Sequence, residues 1–304
     1  MDISFEGRVA IVTGAGGGLG RAYALELGRR GAKVLVNDLG GARDGSGTSD
    51  AAAAVAEEIG QAGGEAIANG ANVADFEQVE AMAAAARERW GAVHILVNNA
   101  GILRDRSFAK MSMADFRAVV DVHLIGSAHC TKAVWDGMRE QNYGRILMTS
   151  SSTGLFGNFG QANYGAAKLG LLGLARTLHL EGARYNVRVN TIAPTAATRM
   201  TEDIFPPAML GAFDPANVVP AALFLVSEDA PSGAIVGAGA GVVQACYVTL
   251  TPGVALPEGR RTLEEVAANW ERIASRDGEI VPQSGAEQAL LILKTLQGEA
   301  GYSG

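Results

Sequence analysis

Tyr164 and Lys168 stand four residues apart in Tyr164-Gly-Ala-Ala-Lys168, and Ser151 precedes the tyrosine by thirteen positions. In a helix, residues four apart share one face, one turn above the other. An ammonium beside a phenol favours the phenolate, and a tyrosine with an ordinary pKa near 10 needs that push to act as a base at neutral pH. Shifting the equilibrium about 100- to 1000-fold takes roughly 3–4 kcal/mol of differential interaction. The pair therefore reads as an acid/base couple that moves a proton to or from an alcohol. A solvated lysine lying past a tyrosine has the same spacing, so the reading needs a hydride acceptor elsewhere in the chain.

The acceptor's site is legible near the N-terminus. Thr13-Gly14-Ala-Gly16-Gly-Gly18-Leu19-Gly20 joins an expected strand, Arg8–Thr13, to an expected helix, Leu19–Arg30. Glycines let a backbone approach a pyrophosphate, and a helix N-terminus offers free N–H groups with partial positive charge. Asp38 ends the next strand, twenty positions past Gly18. An acid there accepts from both adenosine ribose hydroxyls and repels a 2′-phosphate, which points to NAD rather than NADP. Arg43, in the following loop, is the one nearby charge that pulls the other way. Asn98-Asn99-Ala100-Gly101 ends a later strand, where ligands gather in parallel sheets, although the same four residues also make an ordinary turn. Ser151 follows another strand, where its hydroxyl can steady a substrate oxygen, or simply belong to the polar loop Thr149-Ser-Ser-Ser152.

Elements that alternate along the chain must carry these groups. Short β-branched runs are expected as strands at Arg8–Thr13, Lys33–Asp38, Glu65–Asn69, Val93–Asn98, Arg145–Thr149 and Val187–Ile192. Helices are expected over Leu19–Arg30, Asp50–Gln61, Asp75–Trp90, Ser112–Glu140 with a break near Gly126, and Gln161–Ala183. Alternation of this kind implies right-handed βαβ units and an α/β parallel sheet. The last of these helices is apolar nearly all round, through Leu169, Leu171, Leu172, Leu174, Leu178 and Leu180. It is either a core helix or one held between the sheet and another subunit. Regularity falls after Pro194: Thr195–Phe213 reads as a loop with a short helix, Asp214–Val226 as a helix and Ala234–Val236 as a short strand. Residues 251–304 turn charged, with helices over Leu263–Ser275 and Ala286–Leu296. That tail reads as a helical extension packed on the main domain, residues 1–250, because it is too short to bury a core of its own.

Composition narrows the classes of function. The 304 residues are 48% hydrophobic, enough for one large core, and the 40 glycines follow no repeat. A net charge of −7, a pI of about 5.2 and no run of Lys or Arg argue against nucleic acid or an anionic membrane as partner. Cys130 and Cys246 lie far apart, which excludes a disulfide framework and a thiolate zinc site. The four histidines show no ligand spacing, so no metal is expected. No leader-like or membrane-length apolar run is seen, and Gly301-Tyr-Ser-Gly304 is not a peroxisomal Ser-Lys-Leu tail, so a cytoplasmic location is expected.

Taken together, the glycine loop, Asn-Asn-Ala-Gly, the serine and Tyr-x-x-x-Lys resemble the short-chain dehydrogenase/reductase family, in order and spacing, from about Phe5 to Gly241. The resemblance implies a Rossmann-like doubly wound parallel sheet of seven strands with helices on both faces. It also implies a homodimer or homotetramer joined through the two longest helices. Tyr164 would be the acid/base, Lys168 would lower its pKa and touch the nicotinamide ribose, and Ser151 would hold the substrate oxygen. The cofactor NAD would meet Thr13, Gly14, Gly16, Gly18, Leu19, Gly20, Asp38, Asn72, Val73, Asn99, Ala100, Gly101, Tyr164, Lys168 and Pro194.

Longer segments, among them Asn98–Phe108, Gly157–Tyr164 and Asn190–Pro194, with Ala268-Asn-Trp270 and Pro282-Gln-Ser284 in the tail, are similar to the (3R)-hydroxyacyl-CoA dehydrogenase units of type 2 peroxisomal multifunctional enzymes. Such units also go by 17β-hydroxysteroid dehydrogenase type 4. The substrate implied is a (3R)-3-hydroxyacyl-CoA or a steroid-type alcohol. Departures from the family pattern are His123, a candidate catalytic residue standing where most members carry an asparagine that holds a water in the proton relay from the lysine, or else a satisfied interior histidine; Asn72-Val73 for Asp-Val; and Pro194-Thr195 for Pro-Gly. An NADPH-dependent 3-oxoacyl carrier-protein reductase is the alternative that Asp38 opposes. A redox-silent dinucleotide-binding sensor is the one that Ser151, Tyr164 and Lys168 oppose.

Overall fold

In the computed structural model, which describes residues 3–198 and 210–297, the β-branched runs form strands β1 (Val9–Thr13), β2 (Lys33–Asn37), β3 (Glu65–Asn69), β4 (Ile95–Asn98), β5 (Gly144–Thr149), β6 (Val187–Pro194) and β7 (Ile235–Gly239). They pair in parallel in the order β3-β2-β1-β4-β5-β6-β7. Val12 lies opposite Val36 on one side and Val97 on the other. The strand order reverses between β1 and β4, which opens a crevice at their carboxyl ends.

Alternation along each strand fills both faces. Ala10 and Val12 of β1 point to a core with Tyr23, Ala24 and Leu27 of α1 (Gly18–Arg29) and Val55 and Ile59 of α2 (Ala51–Gln61). Val9 and Ile11 point the other way. There they meet Val79 and Met82 of α3 (Phe76–Trp90), Val134 and Met138 of α5 (Gly126–Glu140) and Leu171 and Ala175 of α7 (Ala162–Gly182). Burial on both faces is why these strands read as near-continuous apolar runs.

Several elements differ from expectation. The sheet has eight strands rather than seven, because Ala240 and Gly241 both take positive φ (50° and 78°) and turn the chain back into β8 (Val242–Cys246). A two-residue turn of that geometry matches the twist of a hairpin. The expected helix Ser112–Glu140 is three pieces: α4 (Met113–Val120), a π-helical turn over Asp121–Ile125, and α5. Ser112 accepts from the Asp115 N–H at its start, as the pattern predicts. Asp214–Val226 shortens to a 3₁₀ turn and α8 (Val219–Phe224). Of the Thr195–Phe213 loop, residues 199–209 lie outside the described residues, as does the Gly301–Gly304 tail.

The chain divides into two compact units at Ala245/Cys246. The second holds α9 (Leu263–Ala268), α10 (Trp270–Ala274) and α11 (Gly285–Leu296). Its expected helix Leu263–Ser275 breaks at Asn269, whose side-chain amide donates to the Glu265 carbonyl. Among the described residues no helix is long and apolar enough to cross a membrane.

Candidate active site

Ser151 ends the turn after β5 and caps the short helix α6 (Ser152–Phe156), its hydroxyl accepting from the Thr153 N–H at 3.2 Å. Helix α6 lies tight against α7 because residue 154 is glycine: a Cβ there would sit 2.8 Å from that of Lys168. Tyr164 stands in the first turn of α7, with its phenol close enough to the Ser151 hydroxyl to be stabilised by it when ionised. Lys168 is buried one turn on, its ammonium donating to the Thr149 carbonyl and lying 5.4 Å from the centre of the Tyr164 ring. Ser151, Tyr164 and Lys168 are thus gathered at one point.

Their electrostatics differ from the simple expectation. Burial pushes the Tyr164 phenol up to about 12; the Ser151 hydroxyl pulls it down and the Asp105 carboxylate pushes it up again. Burial also drives the Lys168 ammonium down to about 7. The expected lowering of the tyrosine by the lysine is therefore outweighed, because desolvation disfavours the charged form of each group.

His123 sits in the π-helical turn, a geometry that inserts an extra residue and re-aims side chains. Its ring meets that of Tyr164 edge-on, centroids 5.1 Å apart at 88°. Nε2 lies 2.8 Å from the Ile102 carbonyl and 3.1 Å from the Ile102 N–H, and Nδ1 is buried with no partner. Burial, then the charge of Lys168, hold its pKa well below the ordinary value, against the upward pull of the Ile102 hydrogen bond. Gly101 is required beside it, since a Cβ there would fall 2.1 Å from the imidazole Cε1.

A cleft of about 410 Å³ runs along the crevice. It is lined by Gly14, Gly18 and Leu19, by Asp38, by Asn72 and Val73, and by Asn99, Ala100 and Gly101. Thr13, Gly16 and Gly20 stand behind it. Thr13 Oγ1 accepts from the Asn99 and Ala100 N–H groups at 3.0 and 3.1 Å, tying β1 to β4. Gly16 donates its N–H to Asp38 Oδ2 at 2.8 Å, and Gly40 donates to Oδ1 at 2.6 Å. A Cβ at Gly16 would fall 2.9 Å from that carboxylate, and one at Gly20 would fall 2.2 Å from the Gly14 carbonyl. Pro194 ends β6 opposite Ala238 and, like Ser151, Tyr164 and Lys168, is not among the residues that line the cleft.

These residues fit a nicotinamide dinucleotide. Helix α1 has no side-chain cap at Gly17, so its first N–H groups face the cleft for a pyrophosphate. Each Asp38 oxygen spends one acceptor site on the backbone and keeps another for a ribose hydroxyl. The Lys168 ammonium has three donors and places one on Thr149.

Two residues were not singled out from sequence. Asp105 Oδ2 accepts from the Gln161 side-chain amide at 2.8 Å, and Gln161 Oε1 accepts from Thr153 Oγ1 at 2.9 Å. Asp105 lies in a loop of ordinary composition and Gln161 precedes a helix, so only the position of Gln161 three residues before Tyr164 could have drawn notice.

Comparison with known proteins agrees with this geometry. Residues 8–208 match the family model for short chain dehydrogenases. The chain is 47% identical to peroxisomal multifunctional enzyme A of Dictyostelium discoideum, over 96% of this chain and 66% of that protein. It is 49% identical to a short-chain type dehydrogenase/reductase of Mycobacterium tuberculosis, over 89% of this chain and 95% of that protein. The full-length peroxisomal multifunctional enzyme type 2 of Drosophila melanogaster superposes with a TM-score of 0.82 at 39% identity, covering 98% of this chain and 51% of that one. A 7α-hydroxysteroid dehydrogenase solved with NADH and 7-oxo glycochenodeoxycholic acid superposes with a TM-score of 0.71 at 31% identity, over 79% of this chain and 96% of that one. The chain thus spans between 25% and 66% of the length of the peroxisomal multifunctional relatives it matches. With the glycine loop on a parallel sheet and the serine, tyrosine and lysine gathered beside it, the chain belongs to the short-chain dehydrogenase family, oxidoreductases of CH–OH groups that use a nicotinamide dinucleotide.

Proposed function

We propose that this chain oxidises a secondary alcohol with NAD, the substrate being a (3R)-3-hydroxyacyl-CoA, with a steroid-type alcohol as the alternative. The observation that carries the reaction class is the buried Lys168 ammonium, one helical turn past Tyr164 and 5.4 Å from the centre of its ring, with Ser151 beside the phenol. NAD is favoured by Asp38, whose carboxylate closes the cleft through Gly16 and Gly40 and would repel a 2′-phosphate. Arg43 also lines that cleft and is the opposing charge. The acyl-CoA substrate is supported by the likeness to multifunctional peroxisomal enzymes, and the steroid by the hydroxysteroid dehydrogenase.

In this mechanism Tyr164 takes the hydroxyl proton while Ser151 steadies the same oxygen. Lys168 would hold the nicotinamide ribose and, when charged, offsets the phenolate. When bound, NAD supplies the hydride acceptor. His123, neutral, fixes the Ile102 backbone beside the tyrosine and takes up no second ring proton at neutral pH.

A homodimer or homotetramer through α5 and α7 is part of the proposal. Leu169 and Leu180 of α7 are 50% and 48% exposed on a helix with little polar surface to offer water. The cytoplasmic setting also stays a proposal; free Cys130 and Cys246 suit a reducing compartment, and the relatives named peroxisomal make that organelle the alternative.

The test is a set of initial rates with NAD and with NADP, on matched (3R)-3-hydroxyacyl-CoA and hydroxysteroid substrates. Highest kcat/KM with NAD and the acyl-CoA is expected. A clear NADPH preference with acyl-carrier-protein substrates would favour the reductase reading. Cofactor binding without turnover on a broad alcohol panel would favour the sensor.

A further inference from the structure

The loop after β4 is fastened to the start of α7 at three points. Gln161 Nε2 donates to Asp105 Oδ2 at 2.8 Å, Asn163 Nδ2 donates to the Arg104 carbonyl at 3.1 Å, and the Arg106 N–H donates to the Gly160 carbonyl at 2.9 Å. Gln161 in turn accepts through its own carbonyl from the Gly165 N–H, one residue past Tyr164. The carboxylate of Asp105 is thereby held at the turn that carries the tyrosine. Its second oxygen, Oδ1, is buried without a hydrogen-bond partner. A carboxylate kept half-satisfied is costly to the fold, so its position asks for an account.

We propose that Asp105 is a positioning residue whose negative charge, held at the first turn of α7, sets how readily Tyr164 gives up its proton and so the pH at which the tyrosine can act as the base. This rests on the reading of Tyr164 as the proton-transferring group. Two carboxylate-to-phenolate neighbours would repel in a desolvated site, and the neutral phenol avoids that repulsion. The cations nearby are otherwise engaged. Arg104 pairs with Asp115 at 3.2 Å, and Arg106 reaches the backbone carbonyl of Asp105, not its carboxylate. The other groups facing Tyr164 are the neutral Ser151 hydroxyl, the neutral His123 ring and the Lys168 ammonium, which favours the phenolate. Asp105 and Lys168 therefore act on the same proton in opposite directions. The consequence is an alcohol oxidation that rises as the pH rises.

Asp105→Asn tests the inference, because asparagine keeps the shape and an acceptor for Gln161 while losing the charge. The acid limb of kcat against pH for alcohol oxidation, taken at saturating NAD, is expected to move down by about half a pH unit or more. Asp105→Glu, which restores the charge, should move it back towards the parent position. Should Asp105→Asn not fold, Asp105→Ser is read in the same way. A limb that ignores the charge at 105 in a working enzyme overturns this inference alone. A parent chain with no turnover on any secondary alcohol overturns the functional reading and this inference with it.

Discussion

The Lys168 ammonium lies 5.4 Å from the centre of the Tyr164 ring and donates to the Thr149 carbonyl, so it faces the tyrosine without bonding it. Each group is pushed towards its neutral form by burial, the lysine down to about 7 and the tyrosine up to about 12. The site thus holds a charge that the fold tolerates poorly, next to a proton that it gives up reluctantly. Such opposed environments mark acid/base sites more often than structural pairs.

The lysine's burial has a consequence for stability. Its folded pKa of about 7 is below the ordinary 10.5, so between those values the unfolded chain binds the extra proton. Stability therefore rises with pH from about 7 towards 10.5, and the cost of charging the lysine is fully present below about 7. Lys168→Met removes that cost. Denaturant melts should show the variant gaining on the parent by on the order of a few kcal/mol at pH 6, and by much less at pH 10. A difference that does not change with pH would place the ammonium in solvent.

Tyr164→Phe removes the proton and leaves the ring against His123. A fall in kcat of about 100- to 10,000-fold is expected, with NAD affinity by calorimetry unchanged. Near-parental turnover would remove Tyr164 from the chemistry. Ser151→Ala should also lower kcat, and in addition it strips the cap from α6, at a cost of about 1 kcal/mol in stability.

Asp38 joins specificity to architecture, since the carboxylate that would meet the ribose also holds the Gly16 and Gly40 N–H groups. Asp38→Ser should lower kcat/KM for NAD about 10- to 100-fold and raise that for NADP. Adding Arg43→Ala should take the NADP gain away again. An unchanged NAD/NADP ratio in the single variant would show that the acid serves the loop alone.

The parts legible in the sequence were those that a backbone pattern announces. Thr13 to Gly20, Asp38 and Asn99 to Gly101 end strands whose apolar runs were plain, and a parallel sheet brings strand ends together. The π-helical turn under His123 was not legible, because Val122-His-Leu-Ile-Gly126 has ordinary helical composition and the Ile102 backbone that its ring engages lies 21 positions away. Asp105 was missed for a similar reason, since its partner Gln161 lies 56 positions away. The direction of the Tyr164 shift does not follow from the sequence because a four-residue spacing places the lysine on the right face but says nothing of how deeply either group is buried. The eighth strand was hidden by Ala240, a residue that rarely takes positive φ.

His123 offers the last prediction, which concerns how the proton leaves. A histidine with its pKa well below the ordinary 6.5 stays neutral through the working pH range. Its ring engages Ile102 through one nitrogen and keeps the other buried and without a partner. It can therefore orient the backbone, or a water, but it cannot store the proton. Histidine NMR should show its ring still neutral, with a single N–H, at a pH below 6.5 where an ordinary imidazole is already charged. The unfolded chain binds that proton below about 6.5, so the parent should lose stability as the pH falls from there. His123→Leu, which fills much of the same space, should lose that slope while keeping the fold at pH 7. A His123 signal that titrates near 6.5, or a variant with the parent's acid sensitivity, would make the ring solvent-linked and return it to the list of groups that carry the proton out.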